Sequence, residues 1–205
     1  MKLPVPPLLV ISDRSQARRP LIEIAAAAFA GGCRWFSLRE KDLSAAERRV
    51  LLGELVALGR RYGATITAHE DIDAVESVGA AGVHLPGGSN PAMARRRLPQ
   101  GLIGVSAHSA AEAGALLRAG ADYVTLSPIF LTDSKPGYGP ALGLHALAAA
   151  STAPGPIIAL AGIGPDNAAQ CLTAGARGIA VMGEIMRAAD PEATIRRFIT
   201  AIEKK

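Results

Sequence analysis

Eight short β-prone runs, each followed by a stretch of helical pattern, constrain this chain more than any other feature. They occupy residues 8–13, 34–41, 64–69, 82–86, 102–108, 123–128, 156–162 and 178–185. Strands that alternate with helices imply a parallel sheet, because parallel neighbours need a crossover connection that is usually a helix. Eight such units close into a (β/α)8 TIM barrel, for which 205 residues is short but sufficient. The expectation is an α/β chain with one barrel domain over residues 1–205 and its chemistry at the carboxyl ends of the strands.

The punctuation between the runs agrees with that reading. Ala30-Gly31-Gly32, Gly79-Ala80-Ala81-Gly82, Ala119-Gly120-Ala121 and Ala174-Gly175-Ala176 each stand where a helical stretch gives way to an apolar run. Glycine suits that joint because it accepts the left-handed conformation that ends a helix. Helix starts are marked too: Pro20 opens the first helix, and Ser44 with Glu47 forms a capping-box pattern. Asn90-Pro91, Pro165-Asp166 and Asp190-Pro191 mark later ones. The longest loop, residues 129–142, follows the sixth run, and a loop of that length tends to be functional.

Composition narrows the class of function. Apolar residues make up 49% of the chain and aromatics 4%, so Ala, Val, Ile and Leu must do the packing. No apolar run is long enough to cross a bilayer, and residues 1–7 hold one Lys and three Pro with no apolar signal core. A soluble, cytoplasmic protein with no membrane partner is expected. The formal charge of +4 is spread over Arg18–Arg19, Arg48–Arg49, Arg60–Arg61, Arg95–Arg97 and Arg196–Arg197, all in or beside helical stretches. Nucleic-acid binding would need one basic stripe with stacking aromatics, and the sequence has neither. An anionic small-molecule partner fits the charge. Cys33 and Cys171 lie near helix ends and read as buried thiols.

Alternation along the runs sorts side chains by face. Ser37, Arg39 and Lys41 share one face of the second run, Thr65, Thr67 and His69 one face of the third. Ser106 and His108 pair on the fifth, Thr125 and Ser127 on the sixth. A barrel interior with this much polarity at its top differs from one built only for packing. For Arg39-Glu40-Lys41, spacing alone supports a substrate-facing strand end and a solvated turn equally.

After the seventh and eighth runs come Gly162-Ile163-Gly164-Pro165 and Met182-Gly183-Glu184. Loops at these two places, with backbone amides and a helix amino terminus, form the usual phosphate site of such barrels. The long loop after the sixth run gathers Thr132, Ser134 and Lys135, two hydroxyls and an ammonium able to meet phosphate oxygens.

The segment from Ser127-Pro128-Ile129-Phe130 to Thr132-Asp133-Ser134-Lys135 resembles the corresponding loop of the thiamine phosphate synthase family. The similarity extends in chain order to Leu38-Arg39-Glu40-Lys41, Gly82-Val83-His84-Leu85, Gly104-Val105-Ser106-Ala107-His108, Ala161-Gly162-Ile163 and Ala180-Val181-Met182. The family is a (β/α)8 barrel that also contains thiazole tautomerases. The resemblance implies a transferase of thiamine biosynthesis that joins hydroxymethylpyrimidine pyrophosphate to hydroxyethylthiazole phosphate through a dissociative route, with release of pyrophosphate. It assigns Arg39, Lys41 and Lys135 to the pyrophosphate and Ser106 to the pyrimidine. Thr132, Ser134, Gly162 and Gly183 fall to the thiazole phosphate. Small phosphorylated substrates are the implied partners, with a second copy of the chain as a possible one.

Three positions depart from the family pattern. Ser37 stands where the family has Gln against the pyrimidine ring, and by that position it is the residue expected to meet the substrate there. His69-Glu70 replaces an Asn-Asp pair, leaving His69 toward substrate and Glu70 as the one carboxylate for Mg2+. Ser89 replaces a second acidic magnesium ligand. The resemblance therefore carries two alternatives: a metal-independent thiazole tautomerase with His108 as acid and base, and a non-catalytic barrel that binds a thiamine precursor.

Overall fold

In the computed structural model, which describes residues 3–132 and 140–203, the eight runs become eight parallel strands closed in chain order. They are β1 (Leu8–Ile11), β2 (Trp35–Leu38), β3 (Thr65–His69), β4 (Gly82–Leu85), β5 (Leu102–Ala107), β6 (Tyr123–Leu126), β7 (Ile157–Leu160) and β8 (Gly178–Val181). Around them lie α1 (Leu21–Ala30), α2 (Ala45–Arg61), α3 (Ile72–Val78), α4 (Pro91–Arg97), α5 (Ala110–Arg118), α6 (Gly143–Ala150) and α7 (Pro165–Thr173). A 3-10 turn (Arg14–Gln16) follows β1, and a four-residue helix, α8 (Gly183–Met186), precedes the long last helix α9 (Pro191–Glu203). The eighth β-prone run extends to residue 185, but the strand stops at Val181, because Gly183–Met186 turns into α8. The second run likewise ends at Leu38, which leaves Arg39, Glu40 and Lys41 beyond the ladder.

Local chemistry accounts for the helix ends. The Ser44 hydroxyl accepts from Glu47 N–H while the Glu47 carboxylate accepts from Ser44 N–H, the reciprocal capping box the sequence announced. Asn90 caps α4 with Pro91 in its first turn, and Ser109 caps α5. At the joints, Gly32, Gly79, Gly120 and Gly175 have φ between +67° and +104°. The arginine groups pair between neighbouring helices, Arg48 with Asp71 on α2 and the start of α3, Arg97 with Asp73 on α4 and α3. They form the dispersed outer faces expected of them. Cys33 and Cys171 are buried, and burial pushes their thiols up to about 12 and about 11.

Two cores result. The larger lies between barrel and helices; the smaller fills the barrel with Leu9, Ile11, Trp35, Leu102, Tyr123, Ile158 and Ala180. Trp35 meets Tyr123 edge-on with ring centroids 4.8 Å apart, so two large rings plug the lower barrel. Tyr123 has room because Gly104 is its register partner: a Cβ on Gly104 would lie 2.0 Å from Tyr123 Cζ. Gly104→Ala is thus expected to force the ring out of place and lower unfolding free energy by about 3 kcal/mol, as overpacked cores do. Urea unfolding of the two proteins checks this; a change below about 0.5 kcal/mol would contradict the packing account.

Candidate active site

The strand ends open into a cavity of about 620 Å3. Of the residues read from the sequence, Arg39, Lys41, His69, Glu70, Ser106, His108, Thr132, Gly162 and Gly183 all line it. Ser134 and Lys135 lie outside the described residues. Ser37 does not line the cavity. It is fully buried one layer down, its hydroxyl without a hydrogen-bond partner among the described residues, as are Thr67 Oγ1 beside it and Trp35 Nε1 below it. The expected substrate contact at Ser37 is corrected on this point: a serine at that depth is too short to reach the floor, two residues beneath Arg39.

Strand alternation explains how Arg39-Glu40-Lys41 divides. Arg39 and Lys41 turn into the cavity, whereas Glu40 points outward and is 4% exposed. Its carboxylate accepts from Arg14 N–H at 2.9 and 3.2 Å, and Ser12 Oγ accepts from Arg39 N–H at 2.8 Å. Burial holds the Glu40 carboxyl above its ordinary pKa. Glu40 therefore ties the β1 loop to the end of β2, and Arg39 stands on that fixed turn. The Arg39 guanidinium reaches across to Met182 Sδ at 4.0 Å, at the end of β8.

The floor is organised by a histidine of the Gly82–Leu85 segment to which the sequence pattern assigns no role. His84, 1% exposed, lies between Tyr123 and Ser106: its Nδ1 is 3.1 Å from the Tyr123 hydroxyl and its Nε2 is 2.9 Å from Ser106 Oγ. Thr125 Oγ1 is 3.3 Å from the same Nε2. Burial lowers the His84 pKa to about 3, with Arg39 adding to the shift, and burial raises that of Tyr123. Both are neutral near pH 7. The arrangement that satisfies all three groups has the Tyr123 hydroxyl donating to Nδ1 and Nε2–H donating to Ser106 Oγ. Ser106 is then left with its own proton to donate into the cavity. The signal in the sequence was parity, because His84 shares the inward face of β4 with Gly82.

His69 packs on His84 with ring centroids 4.7 Å apart. His108 follows β5, and the Ser127 carbonyl accepts from its Nδ1–H at 2.9 Å. That contact fixes the tautomer and makes Nε2 the basic nitrogen of the neutral ring.

The β7 and β8 loops close the far side. Asn167 clamps the first: its Oδ1 accepts from Gly164 N–H and its Nδ2 donates to Gly162 O, both at 2.9 Å. Gly162 has φ +64°, and a Cβ there would stand 2.3 Å from Leu131 O and 2.6 Å from Phe130 Cβ. Its glycine is required because the β6 and β7 loops approach so closely, a role separate from any phosphate contact. The Phe130 N–H donates to Ala161 O in the same seam. The expected cradle of open amides at this helix start is reduced, since Gly164 N–H is taken and Pro165 has none.

Glu70, at φ +64°, is exposed on the rim. Among the described residues no three His, Cys, Asp or Glu side chains gather as a metal-binding group. This donor set does not fit a magnesium ion held by the protein alone, since the single candidate carboxylate would leave most of the octahedron to substrate and water. Among the described residues no helix is long and apolar enough to cross a membrane.

Comparison with known proteins agrees with the geometry. The family model described as thiamine monophosphate synthase matches residues 8–185. A thiamine-phosphate synthase of Roseiflexus is 38% identical over 94% of this chain and 84% of its own length. One from Moorella thermoacetica is 38% identical over 93% of this chain and 92% of its own. The solved thiamine phosphate pyrophosphorylase of Pyrococcus furiosus superposes with a TM-score of 0.87 at 30% identity, covering 96% of this chain and 95% of that one. On the strength of a match that runs through every strand of the barrel, this chain belongs to the thiamine monophosphate synthase family, transferases of thiamine biosynthesis.

Proposed function

We propose that the cavity performs the synthase reaction, joining hydroxymethylpyrimidine pyrophosphate to hydroxyethylthiazole phosphate. The methylene C–O bond to pyrophosphate breaks with both electrons going to the leaving group, and the thiazole nitrogen supplies the pair for the new C–N bond. The products are thiamine phosphate and pyrophosphate. One observation carries this reading: Arg39 and Lys41 enter one side of the cavity while a preorganised Ser106 hydroxyl rises from its floor. Fixed positive charge beside a departing pyrophosphate stabilises the charge that develops as the bond breaks. Ser106, held by His84, orients the pyrimidine, and Thr132 stands on the rim toward the thiazole. Lys135, three residues beyond Thr132 in sequence, adds a second ammonium by family resemblance. Magnesium, if supplied with the substrate pyrophosphate, would find Glu70 as its protein carboxylate, and no step here depends on it.

The assay is pyrophosphate release from both substrates, with and without magnesium. Release by the native protein that collapses in Lys135→Ala supports the reading. No release under either condition contradicts it. The alternative with an observation behind it is the tautomerase, favoured by the fixed tautomer of His108 and by the sparse carboxylates. Tautomer conversion of the thiazole carboxylate phosphate without metal, lost in His108→Ala and with no pyrophosphate released, would transfer the assignment.

A further inference from the structure

We infer that Glu40 is a positioning residue: through Ser12 it aims the Arg39 guanidinium at the departing pyrophosphate. The inference rests on the synthase reading for the identity of the anion, and extends it to a side chain that does not line the cavity.

Strand parity sends Arg39 and Lys41 inward and leaves Glu40 between them, facing away. Glutamate is rarely buried without a partner charge. Glu40 is 4% exposed, and among the described residues no cation stands at ion-pair distance from its carboxylate. A desolvated carboxylate of this kind is costly unless hydrogen bonds satisfy it. Its bonds go to the adjoining turn. Arg14 N–H donates to its two oxygens at 2.9 and 3.2 Å, and the Ser12 hydroxyl donates to the same carboxylate. Ser12 is fully buried and accepts in turn from Arg39 N–H at 2.8 Å, while its own N–H donates to Ser37 O at 3.0 Å. The relay from Glu40 through Ser12 thus ends on the backbone nitrogen of the residue whose guanidinium enters the cavity.

A hydroxyl that donates to a carboxylate becomes a better acceptor, so Glu40 strengthens the bond from Arg39 N–H. Holding that nitrogen restrains the backbone from which the side chain reaches across to Met182. Without the restraint the guanidinium must find its place as pyrophosphate leaves, and that reorganisation falls on the transition state. A second link joins the same loops, from the Arg14 guanidinium to Asp42 at 2.6 Å, but its side chains are 47% and 53% exposed. An ion pair so open to water contributes little. The buried link carries the positioning.

The test is a mutant cycle over the native chain, Glu40→Ala, Arg39→Ala and the double variant. Affinity for inorganic pyrophosphate is read by calorimetry with magnesium present, and kcat and KM by turnover. Glu40→Ala is expected to lose on the order of 10^2-fold in kcat/KM for the pyrimidine pyrophosphate, the cost of a slightly misplaced group at a reacting centre, with KM for the thiazole phosphate unchanged. With Arg39 already replaced by Ala, the same change should cost less than about threefold, because the group it positions is gone. Glu40→Gln keeps an acceptor oxygen and should recover most of the loss. Asp42→Asn should lose less than about threefold. Ser12→Ala removes one hydroxyl and should show a smaller loss of the same non-additive kind, so the cycle closes even if Glu40→Ala does not fold. An equal loss in the Arg39→Ala background, a parallel rise in KM for the thiazole phosphate, no loss at all, or failure of the native chain to bind pyrophosphate would overturn the inference. Pyrophosphate affinity that falls non-additively in these variants, with no pyrophosphate released from the two substrates, would uphold the positioning role and defeat the synthase reading.

Discussion

Arg39→Ala is expected to lower kcat/KM for the pyrimidine pyrophosphate by about 10^2 to 10^3, equivalent to about 2.7–4 kcal/mol of transition-state stabilisation. The size follows from placement. Arg39 sits half-buried in the cavity on a turn that Glu40 and Ser12 hold, so its charge needs little reorganisation as pyrophosphate departs. Lys41 is exposed, where water screens an ammonium, and Lys41→Ala should cost nearer tenfold. Stability should barely change in Arg39→Ala, since its side chain makes a soft contact to Met182 sulfur at 4.0 Å. Steady-state kinetics with melting curves on the same preparations check both halves. A loss below threefold at Arg39 would remove it from the leaving-group site. An equal fall in kcat with constant KM would place its action in the transition state alone.

Acid should destabilise this barrel through His84 well before most carboxylates titrate. Its pKa is lowered from 6.5 to about 3 in the folded chain. An unfolded chain therefore binds a proton below pH 6.5 that the folded chain refuses. The stabilising contribution is complete above that pH and is lost as pH falls toward 3. Between pH 7 and pH 5 the loss is about 2 kcal/mol by linkage. Groups facing His84 bear on the result: His69 stacks on it, Arg39 repels its charged form, and Tyr123 stays protonated. Glu40 acts in the opposite sense. Its raised pKa means the folded chain holds that proton more readily, so its contribution falls as pH rises through the carboxylate range. Urea unfolding at pH 7 and pH 5 of the native chain, His84→Gln and His69→Gln separates these terms. His84→Gln should be less stable at pH 7, because Tyr123 and Ser106 lose a buried partner, yet should show a flatter pH dependence. If the slope persists in His84→Gln and vanishes in His69→Gln, the acid-sensitive group is the other histidine.

Much of the architecture was legible because it is local. Ser44 with Glu47, Asn90-Pro91 and the joint glycines act within a few residues of themselves, so their chemistry marks helix ends without knowledge of the fold. Strand parity was legible for the same reason and correctly turned Arg39, Lys41, His69, Ser106 and His108 toward one opening. Parity does not give depth, however. Ser37 and Arg39 share a face, but barrel layering puts one beneath the floor and the other in the cavity.

What remained for the tertiary structure were contacts between residues far apart in sequence. His84 meets Tyr123 and Ser106 because register aligns three strands, and only then does a buried imidazole become the support of a substrate-facing hydroxyl. Gly162 owes its identity to Phe130 and Leu131 on a loop that closes against it. Gln16 and Arg187, 171 residues apart, meet because closure of the barrel pairs β1 with β8. The sequence by itself determined the periodicity, the caps and the direction of each side chain, since those depend on neighbours along the chain. Depth, tautomer and partnership were decided only when the last strand closed on the first, since those depend on which distant groups share a desolvated space.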